Sequence, residues 1–489
     1  VLVGSGLAWR TTAAGAYVVE SAPRAGFQEA EGGPAVSEVV VTGSRVIRDG
    51  SAAPTPLTVV SLEQLREAAP ATIADALNQL PVFQNSLRPT TAGSSATGAA
   101  GNGGNYLNLR SLGPARTLVL LDGRRSAPSN TTGTTDVNLF PQLLVQRVDV
   151  VTGGASAAYG SDAVTGVVNF ALDNDFSGWK AELQGGVSGR GDNKSVRAAL
   201  AHGRPVLDGR GHLLLSAEYF DSAGIGLDYG GRRWAEEGWS VIPNPSGPPS
   251  QLFAPDLALS DAAPGGLIVS PGPLAGTLFL AGGATRPAQF GAFRSTSTMS
   301  GGDGARPRTN LVTGVETATL FGRFDYNLAD GLNAFLQVAL SEVETSFPTA
   351  QANWQSGGNR FTIFSGNPFL PANIQAVMTA QNIASFSMGR FNSDWVGGEV
   401  PTSSNLNRTH SLVAGLEGKL AGSWNWSAYA AHGRSREKRV HTMLPVMMNL
   451  YRAADAVRAP DGRIVCRSTL TTPADGCVPI NLFGPGSAS

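Results

Sequence analysis

From residue 178 onward apolar and polar residues alternate with a period of two, in seven runs of about ten residues each. In "GWKAELQGGV", Trp179, Ala181, Leu183 and Val187 oppose Lys180, Glu182 and Gln184. "HLLLSAEYF" sets Leu213, Leu215, Ala217 and Tyr219 against His212, Ser216 and Glu218. "NKSVRAALAH", "TATLFGRFDY", "NAFLQVALS", "HSLVAGLEGKL" and, less cleanly, "NWSAYAAHG" continue the pattern. Such a period places successive side chains on opposite faces of a strand. Strands of soluble sandwiches average about five or six residues, whereas one that crosses a bilayer needs about 9–11. Connection lengths decide between the two. Residues 188–193, 204–211, 327–331 and 421–423 are short links, and 221–316 and 342–408 are very long ones. If the first strand runs outward, both long links fall outside and every inner turn is short. Membrane barrels show this asymmetry, and a sandwich has no reason to.

Composition agrees. Only 15% of the 489 residues are charged and the net charge is −1, against about 25% charged residues in a soluble chain. The 61 Gly and 30 Pro predict many turns and few long helices. No apolar run reaches the roughly 18 residues of a membrane helix. A near-neutral balance offers no basic footprint for nucleic acid. The chain opens "VLVGSGLAWR" and stops at "NLFGPGSAS", which reads as a segment cut from a longer chain.

Before residue 178 the pattern is different. Residues 1–20 read as a small hairpin, 21–36 as a linker, and 37–45, "SEVVVTGSR", as an isolated strand on a tether. Residues 46–173 read as an α/β unit. Ser61 and Gln64 open a capping-box helix over "SLEQLREA". A second helix, "TIADALNQLP", places Ile73, Leu77 and Leu80 on one face and stops at Pro81. "YLNLRSL", "RTLVLLDGRR" and "QRVDVVTGG" are predicted strands, with Asp122-Gly123 as a hairpin turn. The small-residue loop in "QRVDVVTGGASAAYGSDAVTGVVNF" is not a phosphate cradle: Ser161 and Asp162 follow Gly160 where a P-loop requires Lys and a hydroxyl residue. Gly153 and Gly154 are expected at positive φ, with Tyr159 packed beneath.

In this order, and ahead of a barrel pattern, "EVVVTGSR", "TIADALNQLP", "NLRSLGPARTLVLLDGRR" and "QRVDVVTGGASAAYGSDAVTGVVNF" resemble the TonB box and successive plug signatures of TonB-dependent outer-membrane receptors. The likeness runs nearly end to end. It implies a transmembrane antiparallel β-barrel of about 22 strands, filled by a small α/β plug, in the outer membrane of a Gram-negative bacterium. Residues 178–489 would supply the first seven strands and their long extracellular loops. The first twenty residues resemble the tail of the periplasmic secretin/TonB N-terminal domain. The implied activity is import of a scarce, large substrate, driven by TonB from the inner membrane. A ferric siderophore is the leading cargo, with carbohydrate or peptide as alternatives. The second reading is a signal transducer acting through its N-terminal domain on an inner-membrane regulator.

The resemblance assigns Glu38, Val39, Val40, Val41 and Thr42 to the TonB box, a graspable strand that can add to a partner's sheet edge; an ordinary edge strand is the alternative. Substrate contacts are expected at Asn102, Asn105, Tyr106, Asn130 and Asp136, with Trp234, Trp239 and Trp354 as outer-loop stacking residues. Arg110 is expected to pair with lumen-facing Glu182, Glu218 or Glu417 and hold the plug, solvated lining being the alternative. Cys466 and Cys477 suit a loop disulfide worth roughly 3 kcal/mol, or else two free thiols. No catalytic Ser/His/Asp set, metal site or cofactor motif is evident, and no enzyme is expected.

Overall fold

The computed structural model describes residues 7–11, 17–21, 57–61, 72–88, 104–348, 354–394, 400–419 and 424–488. The tethered strand 37–45, the capping-box helix after Ser61, the linker beyond Ser21 and Asn102 lie outside these residues. Near the start, β1 (Leu7–Thr11) and β2 (Tyr17–Ser21) pair antiparallel.

An α/β unit follows. It contains β3 (Leu57–Ser61), helix α1 (Ile73–Leu77), β4 (Thr117–Leu121), β5 (Arg124–Arg125), β6 (Val145–Val151) and β7 (Gly166–Leu172). The sheet order is β3-β6-β7-β4-β5, and only β4 and β7 run parallel. All five residues of β4 and all seven of β7 are buried, Thr117 and Asn169 among them. Thr72 caps α1 by accepting the Asp75 N–H. Asp122 and Gly123, at φ 49° and 72°, form the two-residue turn between β4 and β5.

Two local readings need correction. Positive φ in the β6–β7 connection falls on Gly160 (92°) and Gly166 (143°), not on Gly153 or Gly154. A Cβ on Gly166 would stand 2.0 Å from the Val151 carbonyl oxygen, so close strand approach is what demands glycine there. "YLNLRSL" is not a strand: Tyr106 makes a single bridge to Leu87, and Leu109–Ser111 is a 3-10 turn with Arg110 at φ 53°. The Asn108 side chain accepts the Gly113 N–H (2.7 Å) and donates to the Asn85 carbonyl (2.9 Å), so it competes with a ladder.

The seven alternating runs form one antiparallel sheet: β8 (Gly178–Gly186), β9 (Ser195–Val206), β10 (Gly211–Ser222), β11 (Gly314–Ala329), β12 (Leu332–Pro348), β13 (Thr402–Lys419) and β14 (Asn425–Thr442). Each pairs with its sequence neighbours, and β8 and β14 are its two edges. One face packs on the α/β unit, where Ala199, Ala201, Leu214, Val315, Phe321 and Val343 join that unit's core. The opposite face carries the predicted apolar residues, Leu183, Val196, Leu200, Leu215, Leu320, Leu336, Leu340, Leu412 and Leu416 among them, and all are exposed.

On that apolar face, the first polar residue toward the long loops is Asp221 on β10, Glu316 on β11, Glu342 on β12, His410 on β13 and His432 on β14. Asp221 lies across from Glu316. Thereafter the boundary steps two residues lower on each strand, because Glu316 faces Glu344, Glu342 faces Arg408, and His410 faces Arg434. A plane that cuts the strands this way is inclined to them. Averaged over the four spacings from β10 to β14, with about 3.4 Å per residue and about 4.8 Å between strands, the tilt is about 45°, that of membrane-barrel strands. The strands are longer than the expected ten residues because β11 to β14, of 16 to 18 residues, run past this boundary.

Beyond it the long connections fold on themselves. Ile268, Phe279, Phe361, Met388 and Leu482 share a core, Arg390 is buried and pairs with Asp394 at 2.6 Å, and a disulfide joins Cys466 to Cys477.

Candidate functional site

The alternation that leaves one sheet face apolar turns its polar residues toward the α/β unit, and the contact between the two is the candidate site. At its centre is Arg197 on β9, placed inward by its register against Phe220 of β10. Its guanidinium donates to Gln142 Oε1 (3.0 Å) and Glu218 Oε2 (2.8 Å) and lies 3.3 Å from Glu182. Gln142 Oε1 also accepts the Ile73 N–H at the start of α1 (2.9 Å), and the Leu143 N–H donates to Glu218 Oε1 (2.8 Å). One sheet arginine thus reaches, through two side chains, a helix start and a backbone amide of the α/β unit. The void among Gln142, Arg197, Glu218, Thr317 and Thr319 is about 10 Å³, the scale of a single water.

Toward the short turns, Arg124 of β5 pairs with Glu417 of β13 at 2.5 Å. Its guanidinium lies 4.3 Å from the centre of the Phe335 ring, which Arg323 approaches from 4.9 Å. Arg323 is held by Asp325 at 2.8 Å and lies 3.9 Å from Asp122. Lys180 of β8 meets Asp173 at 3.3 Å. Toward the long loops, Ser341 donates to the Leu139 carbonyl (2.9 Å) and Asn407 to the Ser129 carbonyl (2.6 Å).

The acidic residues expected to hold this contact do face it, but their partner is different. Glu182 and Glu218 pair with Arg197, and Glu417 with Arg124. Arg110 is exposed, on a turn where its φ is 53°. The signal for Arg197 was its place on the polar face of an alternating strand. For Gln142 it was a single amide in the apolar stretch "LFPQLLV".

The expected substrate contacts come together, but inside the unit. Asn105, Tyr106 and Asp136 are 2%, 3% and 2% exposed. Asp136 Oδ1 accepts the N–H groups of Asn105 (3.1 Å) and Asn138 (2.9 Å). The Asn105 amide donates to Asn138 Oδ1 (2.9 Å), and Tyr106 bonds to Asn130. Asn130 otherwise closes its own turn, accepting from Thr132 and Thr134. These residues bolt the loop 129–138 together and, through Ser129, to β13. Burial pushes the Asp136 carboxyl up to about 6. Burial likewise raises the Tyr106 hydroxyl. Among the outer-loop residues, Trp234 and Trp239 are exposed, and Trp239 stacks on Phe253 at 5.1 Å. The side chain of Trp354 lies outside the described residues. No group of three or more metal-ligating side chains occurs among the described residues.

The family model described as TonB-dependent Receptor Plug Domain matches residues 49–167. Among solved structures, the chain is similar to a mutant of the ferric enterobactin receptor PfeA from Pseudomonas aeruginosa in complex with enterobactin. Identity is 15% and TM-score 0.44, over 78% of this chain and 41% of that one. It is also similar to the siderophore receptor PirA from Acinetobacter baumannii (16% identity, TM-score 0.41, 78% and 40% covered). A third is the siderophore receptor PiuA from Acinetobacter baumannii (14%, 0.35, 79% and 46%). The chain spans less than half the length of these structures.

Proposed function

Because this chain carries a TonB-dependent receptor plug domain at residues 49–167, we propose that the protein imports a scarce, large substrate across a Gram-negative outer membrane, with energy delivered by TonB. The observation that carries the reading is the sheet's two-sidedness. Its outer face is apolar along an inclined band, and its inner face is closed against the plug with room for about one water at the central contact. A barrel closed in this way passes nothing large until the plug is moved. An outer membrane holds no nucleotide supply, so the work arrives as a pull from the inner membrane. Residues 38–42 are the handle: the β-branched run Val39-Val40-Val41 favours an extended segment that adds to a partner's sheet.

A ferric siderophore is the leading cargo, in keeping with the siderophore receptors named above; carbohydrate and peptide are the alternatives. The contacts a pull must break are the Arg124–Glu417 pair, the hydrogen bond from Arg197 to Gln142 and the one from the Leu143 N–H to Glu218. When plug and sheet part, Arg124 and Glu417 lose each other, while Arg197 and Glu218 stay paired on the sheet but each loses a hydrogen bond to the plug. This makes the plug's displacement conditional on force.

The test uses the full-length gene in cells with and without working TonB. Uptake and surface binding of labelled ferric-siderophore and oligosaccharide pools are followed beside a Val40→Pro variant. Uptake should require TonB and fail in the variant, with surface binding intact. Uptake indifferent to both changes would show a passive or signalling barrel. In that case an inner-membrane regulator, met through the domain to which β1 and β2 belong, becomes the partner to seek.

A further inference from the structure

The long connections are not independent loops. Those between β10 and β11 and between β12 and β13 share one core with the segment after β14, and Ile268, Phe361, Met388 and Leu482 meet in it. Polar contacts weld the same segments. The Phe391 N–H donates to the Ala263 carbonyl (3.0 Å), and Arg390 donates to the Leu482 carbonyl (3.0 Å). A Cβ on Gly389 would stand 1.7 Å from the Asp261 carbonyl oxygen, so the first two connections press backbone to backbone. At this seam lies a cavity of about 330 Å³, lined by the charged Asp261, Arg294 and Arg360 and the apolar Ile268, Val269 and Phe290. Asp261, 3% exposed, pairs with Arg360 at 2.7 Å across the seam. Arg360 and the Gly357 N–H both donate to Asp261 Oδ2. Asp261 Oδ1 and Arg360 Nε are buried and have no hydrogen-bond partner among the described residues. Both belong to a pair closed between two connections, so these open groups are not those of a sheet edge. Arg294 is exposed, with its guanidinium 3.4 Å from the centre of the Phe290 ring.

We propose that this cavity binds an acidic sugar, the uronate unit of an oligosaccharide. A carboxylate oxygen and a guanidinium N–H buried without partners carry a desolvation cost that a bound group removes. One of them only accepts and the other only donates. The bound group must therefore do both, and a hydroxyl does. An iron-chelated catecholate or hydroxamate has given up its hydroxyl protons to the metal, so it offers Asp261 no donor. Ile268, Val269 and Phe290 give the C–H face of a sugar ring an apolar surface to cover. The volume is at the small end of ligand pockets, which run from about 300 to 1,000 Å³. Because Arg360 neutralises Asp261, the charge left over in the lining is that of Arg294, whose fork matches a carboxylate. The proposal takes the import reading as its premise and assigns a site to the carbohydrate alternative.

The test uses the full-length protein in nanodiscs, titrated calorimetrically with three probes. These are digalacturonate, its neutral counterpart galactobiose, and cyclohexanecarboxylate, an acid on a ring without hydroxyls. Digalacturonate should saturate, and galactobiose should bind at least roughly tenfold more weakly, the worth of one charge-assisted contact. Cyclohexanecarboxylate should not compete. Arg294→Gln should remove the preference for the acid and leave galactobiose binding as it was. Val269→Trp, which fills the cavity, should abolish binding of both sugars. If Val269→Trp does not assemble, Arg294→Gln, at an exposed position, decides alone. Absence of saturable digalacturonate binding overturns the proposal, as does a preference that survives Arg294→Gln. Equal competition by cyclohexanecarboxylate would make this a free-anion site and overturn the sugar assignment. Uptake of labelled digalacturonate is followed in parallel, in cells with and without TonB. Saturable binding that responds to Arg294→Gln upholds the site even where uptake is absent, and that absence counts against the import reading alone.

Discussion

Asp136 shows how much one buried residue can set. Its carboxyl is pushed up from the usual carboxylate range to about 6 by burial, against two backbone donors that pull it down. A raised folded-state value means that the neutral form is preferred in the fold. The stabilisation is fully present below about pH 4 and is lost as pH rises through 6, a change of about 3 kcal/mol by linkage. Asp136→Asn retains an oxygen for the Asn105 and Asn138 amides and removes the charge. Urea unfolding of the full-length protein should therefore show a variant more stable at pH 7 and flat between pH 4 and 7. A variant that tracks the parent across that range would mean that Asp136 is ionised and compensated. Gly166 is constrained by backbone geometry instead. Gly166→Ala meets the Val151 carbonyl at 2.0 Å and adopts a left-handed φ, so a loss of at least 1–3 kcal/mol is expected, read as earlier protease cleavage between β6 and β7.

At the scale of elements, the contact between plug and sheet depends on a few inward side chains. Removing Arg197 leaves Glu218, 8% exposed, without its cation. Arg197→Ala should cost about 3–5 kcal/mol and loosen α1 through Gln142. Hydrogen exchange at Ile73 and Leu143 should rise well above that elsewhere in the plug sheet; uniform exchange across the plug would show that the apolar contacts alone hold it. In the outer loops, the Cys466–Cys477 disulfide closes a short loop. Cys477→Ser should lower the stability of that loop by about 3 kcal/mol on the chain-entropy account, seen as local proteolysis, with the barrel transition unmoved.

For the whole molecule, the inclined apolar band predicts where charge is tolerated. Leu336 stands mid-band, so Leu336→Arg should cost roughly 2–4 kcal/mol and reduce assembly into membranes. Glu344, past the boundary, should accept Arg with little effect. Equal penalties at the two positions would remove the case for a membrane plane cutting the sheet.

Much of this was legible in the chain. Period two over runs long enough to cross a bilayer gave seven strands, their order and their outward faces, since a face turned to lipid tolerates few alternatives. The plug signatures and the Asp122-Gly123 turn were readable because turns and close strand contacts demand particular residues. Which arginine meets which acid was not. Arg110 and Arg197 are the same residue type on polar stretches, and only a positive-φ turn at one and an inward strand register at the other separate them. Nor could the sequence tell that Asn105, Tyr106 and Asp136 are buried, because a Gly/Asn-rich loop looks alike whether it is exposed or bolted to itself. The inclination of the boundary belongs wholly to the tertiary structure. Each strand carries its own polar limit in its sequence, but only pairing in register sets those limits side by side, and strand tilt then turns them into a plane.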